Sequence, residues 1–271
     1  MAISLASIAR TRAASAPPRI VIHGLQGSGK STFGARSFKP IFLPFEDGLT
    51  GIETDAFPLI RSYEDTISAL KVVATESHDF GTAVLDSADW MEPLIHNRVA
   101  RDAEKNSIEE IAYGKGYFEA LKYWREIFGL LDTIRARGMA VIVIAHTEVK
   151  RFDAPDMDAY DRYQIKLHKS ASALLLEWAD IVGFAQKESV VKKEKQGMQE
   201  RVRGITTGRY LLRVNETPAY QAKNRYSLPD PLPLDWGALV AGMTPKAPPA
   251  PAPQATESAG ADSTQSAAAA A

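Results

Sequence analysis

Short runs of consecutive apolar residues alternate along this chain with longer stretches in which apolar positions recur every three or four residues. The runs are RIVIH at 19–23, PIFL at 40–43, TAVL at 82–85, AVIVIA at 140–145 and IVGF at 181–184. Runs this short, apolar throughout rather than at alternate positions, predict parallel strands buried on both faces. The stretches between them predict helices over 30–37, 63–77 and 116–137. In the last of these, Leu121, Trp124, Ile127, Phe128, Leu131 and Ile134 make one apolar stripe. Strand alternating with helix predicts an α/β fold, a mostly parallel central sheet flanked by helices. After residue 185 the pattern changes. Two β-like segments, 189–191 and 210–214, flank a charged, turn-rich stretch at 196–208, which predicts antiparallel strands or a hairpin at the sheet's edge.

Both ends break the pattern. The last 28 residues hold eleven Ala and five Pro, with no Val, Ile, Leu or aromatic residue. So little apolar surface cannot offset the entropy of ordering, so 244–271 predict a disordered tail. Residues 1–18 predict a short basic helix over 3–12 that stops at Pro17-Pro18, either a mobile arm or an oligomerisation helix. Residues 19–243 are enough for one α/β domain. With 32 Lys+Arg against 33 Asp+Glu the net charge is -1, so any nucleic-acid contact must come from a local patch. The chain has no Cys, which excludes disulfides, a thiolate nucleophile and cysteine-held zinc, and fits a reducing cytoplasm. No apolar run approaches the roughly 18 residues a bilayer span requires, and Arg10 and Arg12 follow a short apolar stretch, the wrong order for a secretory signal.

The strongest motif is Gly24-Leu25-Gln26-Gly27-Ser28-Gly29-Lys30-Ser31-Thr32, a phosphate-binding loop between a predicted strand and a predicted helix. Its glycines let successive backbone N–H groups turn toward phosphate oxygens, and the helix start adds its positive dipole end. Gly24, Gly27, Ser28, Gly29, Lys30, Ser31 and Thr32 are the candidate nucleotide-binding residues. Lys30 would reach the β and γ phosphates of ATP and Ser31 would ligate Mg²⁺. Asp86 ends the TAVL run and is the candidate second anchor for the metal. Glu46 follows the second strand, where parallel topology turns strand ends toward the nucleotide, and is the candidate to orient or deprotonate water. His146 ends the AVIVIA run and is the candidate γ-phosphate sensor.

The order of these elements resembles a RecA-type ATPase, more narrowly the phage RecA/RadA-like recombinases of the Sak group. The resemblance rests on Phe45-Glu46-Asp47-Gly48-Leu49, His146-Thr147 and Ala222-Lys223-Asn224-Arg225-Tyr226. The last is similar to the KNRFG motif of bacterial RadA, with Tyr226 for Phe and Ser227 for Gly. It implies a RecA-like fold, and Lys223 and Arg225 acting on a neighbouring subunit's γ-phosphate in a homo-oligomeric ring or filament. It also implies a DNA-stimulated ATPase that binds single-stranded DNA and promotes pairing or annealing in the bacterial host's cytoplasm, with a single-stranded-DNA-binding protein as a partner and no membrane.

In such proteins DNA contact falls in the loops after the second-anchor strand and the sensor strand. Here the first, 97–117, carries Arg98, Arg101, Lys105, Tyr113 and Lys115. The second, 148–169, carries Lys150, Arg151, Arg162, Tyr163, Lys166 and Lys169, diluted by four Asp. Cations beside aromatics suit single strands, because charges take phosphates and unstacked bases lie on rings. The basic stretch 192–203 is a third candidate surface. Two other readings stay open: a P-loop kinase phosphorylating a small molecule, and a nucleotide-gated DNA-binding module that does not hydrolyse ATP.

Overall fold

The structure is a computed structural model that describes residues 16–153, 155, 158–196 and 199–243, with the stretches 190–196 and 199–206 described as backbone alone. The predicted tail and the arm up to residue 15 lie outside the described residues.

The five apolar runs all form strands, and each ends near the residue where the run ends or continues past it. In chain order the strands are β1 (Arg19–Gly24), β2 (Pro40–Pro44), β3 (Asp55–Ala56), β4 (Thr82–Asp86), β5 (Ala140–Phe152), β6 (Tyr160–Ile165), β7 (Ile181–Gln196), β8 (Gln199–Arg213), β9 (Lys223–Asn224) and β10 (Leu232–Pro233). The helices are α1 (Lys30–Ala35), α2 (Tyr63–Thr75), α3 (Ala88–Asp102), α4 (Lys115–Ala136), α5 (Lys169–Trp178) and α6 (Trp236–Met243). The strands form one sheet in the order β10-β8-β7-β1-β5-β4-β2-β3, with β6 joined to β5 and β9 to β7. The centre, from β7 to β3, is parallel. The β5–β6, β7–β8, β7–β9 and β8–β10 pairs are antiparallel. This is the expected α/β architecture, a mostly parallel central sheet flanked by helices with an antiparallel C-terminal extension.

Successive residues of the central strands feed two cores, one on each face, as the twofold period of a strand requires. Val21, Leu43, Leu85, Val141 and Val143 face the larger core under α2, α3, α4 and α5. Ile20, Ile22, Phe42, Val84, Ile142 and Ile144 face the smaller one under α1 and α6. The predicted stripe of α4 supplies Trp124, Ile127, Leu131 and Ile134, all fully buried. Helix α2 starts where Ser62 Oγ accepts a hydrogen bond from the Asp65 N–H at 3.0 Å.

Three predicted loops are regular structure. The stretch 97–117 begins as the last turns of α3 and continues through two short 3-10 turns, Ile108–Glu110 and Ala112–Gly114. The stretch 148–169 is largely a hairpin, with β5 running on to Phe152 and β6 returning in the register Val149↔Tyr163 and Lys150↔Arg162. The turn-rich stretch 196–208 is strand on both sides of residues 197–198. Hairpins that project from a sheet are held by backbone pairing and need no apolar face, so their charged sequences carry no strand signature.

Candidate functional site

All five central strands point their C-terminal ends the same way, and the functional side chains gather there. Between β1 and α1 the chain doubles back through Gly27 (φ 70°) and Gly29 (φ 89°), left-handed conformations that favour glycine. At Gly24 a side chain is excluded outright: a Cβ would lie 2.4 Å from the Ala185 carbonyl oxygen. Gly29 caps α1 without a side-chain hydrogen bond, leaving first-turn N–H groups to an incoming anion. The Lys30 ammonium is folded over its own loop, donating to the Gly24 and Leu25 carbonyls at 3.1 Å each. Burial lowers its pKa, opposed by Asp86, Asp89 and Glu46. The buried Ser28 Oγ has no hydrogen-bond partner.

Asp86 ends β4 beside Pro44 of β2 and Ile144 of β5. Burial pushes its carboxyl above the ordinary range, a hydrogen bond from Ser31 and the charge of Lys30 oppose the shift, and Glu46 adds to it. Its Oδ2 is buried without a hydrogen-bond partner. An orphaned carboxylate oxygen next to the Ser31 hydroxyl is a donor set that fits one hard divalent cation. Among the described residues no group of three or more His, Asp or Glu is arranged to hold a metal, so phosphate oxygens would have to complete its shell.

Glu46 leaves β2 and is held by Ser87, whose Oγ donates to Glu46 Oε1 at 2.9 Å. The same Oε1 lies 3.8 Å from His146 Nδ1. Asp89, in the first turn of α3, orients that histidine: its carboxylate accepts from the His146 backbone N–H at 2.9 Å and lies 3.0 Å from Nδ1. Burial alone would raise the Asp89 carboxyl, but the hydrogen bonds and charge of His146, with one from Ser87, hold it below its usual value. Nδ1 therefore carries a proton toward Asp89. Gly27, Ser28, Gly29, Lys30, Ser31, Thr32, Glu46, Asp86 and His146 all line one cleft of ≈ 250 Å³, and of the predicted nucleotide residues only Gly24 lies beneath it. Sharing Gly27, Gly29 and Thr32 with this cleft is a second hollow, lined further by Phe33, Arg36, Tyr210, Leu234, Asp235 and Trp236.

Lys223 and Arg225 are not in this cleft. β9 pairs with the start of β7, Val182↔Lys223 and Ile181↔Asn224, at the opposite edge of the sheet. The five residue steps of β1 alone put roughly 17 Å between the two edges. Lys223 Nζ donates to the Leu176 and Glu177 carbonyls at 2.6 and 3.0 Å, satisfying the C-terminal end of α5. Arg225 is half-exposed and touches Asp180 Oδ1 with Nη1 at 3.2 Å.

The candidate DNA cations divide by exposure. Lys105, Lys115, Lys166 and Lys169 are exposed, and Tyr113 is 94% exposed. Arg98 and Arg101 share Glu64 at 2.6 Å each, and Arg98 also binds Asp102 at 2.8 Å. On the hairpin, Lys150 pairs with Glu148 and Arg151 with Asp153. Arg162 is a correction: it is buried against Glu216 and the Tyr220 carbonyl, a tie between hairpin and C-terminal segment that removes it from the accessible cations. Tyr163 packs on Phe184. The side chains of 192–203 lie outside the described residues.

Asp89, Ser87 and, apart from Gly27, Gly29 and Thr32, the lining of the second hollow are not among the predicted site residues. Asp89 stands three residues after Asp86, a helical spacing that could have flagged it; Tyr210, Asp235 and Trp236 arrive from distant segments and leave no local signal.

Among proteins of known structure, the flagellar accessory protein FlaH from Methanocaldococcus jannaschii is similar over 76% of this chain and 84% of its own, at 14% identity and a TM-score of 0.35. The RadB recombinase is similar over 77% of this chain and 92% of its own, at 15% identity and a TM-score of 0.39. The SPbeta prophage-derived uncharacterized protein YorG of Bacillus subtilis (strain 168) is 29% identical over 132 residues, 47% of this chain. The match spans 40% of that relative's length. The phosphate loop, Asp86, Glu46 and His146 all fall within residues 16–226, the stretch matched by the model of one family, and the chain belongs to that family, AAA_24, described as an AAA domain.

Proposed function

We propose that the protein is a phage-type recombinase that hydrolyses ATP, binds single-stranded DNA and works as a head-to-tail homo-oligomer, a ring or a filament. The observation that carries this reading is the placement of charge on two opposite edges. The phosphate cleft opens at the C-terminal edge of the sheet, and the half-exposed Arg225 stands at the N-terminal edge. A head-to-tail contact sets one against the other, and such contacts close into rings or propagate as filaments. Arg225 is the better of the two motif cations for the neighbour's γ-phosphate, since Lys223 is committed to the carbonyls of α5. The prophage origin of one relative supports the phage setting.

Within one chain, the residues divide the work. Lys30 leaves the Gly24 and Leu25 carbonyls for phosphate oxygens. Magnesium held by Ser31 and Asp86 would neutralise charge on the phosphates. Glu46, held by the Ser87 hydroxyl, orients an attacking water and takes its proton. His146, held at Nδ1 by Asp89 and lining the cleft, registers the γ-phosphate. The neighbouring hollow with Tyr210 and Trp236 receives the base and sugar.

The test is phosphate release by purified protein with and without single-stranded DNA, beside electron microscopy of the same samples. DNA should stimulate hydrolysis and promote assembly. Lys30→Ala should abolish both. Arg225→Ala should bind ATP as the native chain does yet lose about 1,000-fold in assembled hydrolysis, the scale of an arginine supplied in trans. Transfer of phosphate to a nucleoside without DNA dependence would make the protein a kinase instead, and tight ATP binding without phosphate release would make it a non-hydrolysing module.

A further inference from the structure

A cavity of ≈ 320 Å³ lies on the outer side of the phosphate loop, between residues 25–28 and a wall made by Tyr163, Phe184, Gln186 and Lys187. It is separate from the phosphate cleft, and Leu25, Gln26, Gly27 and Ser28 form the partition. Resting on the function proposed above, we propose that this cavity receives one unstacked base of bound single-stranded DNA.

The wall is a prebuilt ring platform. Tyr163 stacks on Phe184 at 5.1 Å between centroids and 26° between planes, and Phe184 stacks on Tyr220 at 5.0 Å and 15°. Phe184 is buried, whereas Tyr163 is partly exposed. The backbone of Tyr163 is fixed on both sides, its N–H donating to the Ala219 carbonyl at 2.8 Å and its carbonyl accepting from the Gln221 N–H at 3.2 Å. A rigid aromatic surface takes any base without an ordering cost of its own. Polar partners stand at its margin. The Gln186 amide offers one donor face and one acceptor to a base edge. Ser28 lines the cavity as well as the phosphate cleft, its own hydroxyl buried beneath the loop and without a partner. The exposed Lys187 supplies one cation, enough for a phosphodiester and too few for a free triphosphate, which argues for a base carried by a strand over a second mononucleotide. Because the partition is the phosphate loop itself, a base seated here bears on residues 25–28 and couples strand binding to the geometry around ATP.

The experiment uses full-length protein and an oligothymidylate carrying one 5-iododeoxyuridine. Irradiation should cross-link the base to Tyr163, and excess ATP should not suppress the product. Gln186→Ala and Tyr163→Leu should each weaken oligonucleotide binding about tenfold, the scale of a lost base stack or edge contact. The Gln186 variant should melt at the native temperature, which separates lost binding from lost folding. If the oligonucleotide binds but cross-links only elsewhere and Gln186→Ala keeps native affinity, the cavity is not the base site while the DNA-binding function stands. Suppression of the Tyr163 cross-link by free nucleotide would assign the cavity to a second nucleotide and overturn the proposal. Failure of the native protein to bind single-stranded DNA would overturn both readings.

Discussion

Both edges of the central sheet are rich in charge, and they differ in how that charge is satisfied. At the N-terminal edge the Asp180 carboxylate accepts from the Arg19 backbone N–H, Nε and Nη2 at 3.0, 3.1 and 2.9 Å and from Arg225 Nη1 at 3.2 Å. Arg135 adds a fourth cationic contact at 3.6 Å. At the C-terminal edge Asp86 Oδ2 and Ser28 Oγ are buried with no hydrogen-bond partner, and the Lys30 ammonium is spent on the Gly24 and Leu25 carbonyls of its own loop. A buried polar group left unpaired costs more than a made hydrogen bond returns. Closed networks hold the fold together; open ones wait for a ligand to close them. Between these two edges, the dense ion cluster marks structure and the orphaned atoms gathered at the phosphate loop mark where a ligand would complete the shell.

The largest expected effect on stability breaks the closed edge. Asp180→Ala removes the buried carboxylate that three arginines share, leaving the partly buried Arg19 only Asp132 as a carboxylate partner, and should destabilise the fold by about 2 kcal/mol, read from the denaturant midpoint. ATP affinity per chain should be unchanged. Burial would raise the Asp180 carboxyl, but the hydrogen bonds and charge of Arg19, with Arg135, hold it below its ordinary value. A depressed folded pKa contributes stability that is complete above the unfolded value and is lost as pH falls through the folded one. The native chain should accordingly lose stability below about pH 4 more steeply than the variant.

A smaller effect, opposite in sign, belongs to the open edge. Asp86→Asn removes a carboxylate that burial has already made costly, so without nucleotide the variant should be more stable by about 1 kcal/mol at neutral pH. Magnesium-dependent hydrolysis should fall at least 100-fold in the same protein, with magnesium titration of nucleotide binding as the check. A variant that lost stability along with activity would erase the distinction between the two edges.

The open edge was the more legible of the two in the sequence. Gly24 to Thr32, Glu46, Asp86 and His146 each follow a readable apolar run, and parallel strands carry their C-terminal ends to one place. Topology then does what no local pattern states. The closed edge was read only as a pair of cations, Lys223 and Arg225, because their acceptors are the carbonyls of α5 and an aspartate more than forty residues away. The β5–β6 hairpin reads as a loop in the sequence, and the outer ends of β7 and β8 as a turn-rich stretch within the predicted edge hairpin, for a different reason: these strands are held by each other's backbones, and charge on both faces erases the alternation that marks a half-buried strand. Arg162 shows a further effect of tertiary contact, an arginine that looks free in sequence and is buried against Glu216 and the Tyr220 carbonyl of the C-terminal segment.

The smallest effect concerns a group that sits between the two kinds of edge. Glu92 lies on α3 one turn beyond Asp89, buried, its carboxylate accepting from the His168 N–H at 2.9 and 3.2 Å and lying 3.9 Å from His96 Nε2. Burial pushes its carboxyl up to about 7, the His168 hydrogen bond and Lys150 oppose the shift, and the carboxylates of Asp89 and Glu148 add to it. The folded value thus lies above the ordinary 4.5, so between pH 4.5 and about 7 the folded chain holds a proton the unfolded chain has released. Stability must decline as pH rises through that window and level off above it. Glu92→Gln should flatten the melting-temperature profile between those limits and leave nucleotide binding intact. If the two profiles ran parallel, the Glu92 carboxylate would be as well satisfied as that of Asp180. The burden of unpaired charge would then stop at Asp86, without reaching back along α3 toward the His168 end of the hairpin.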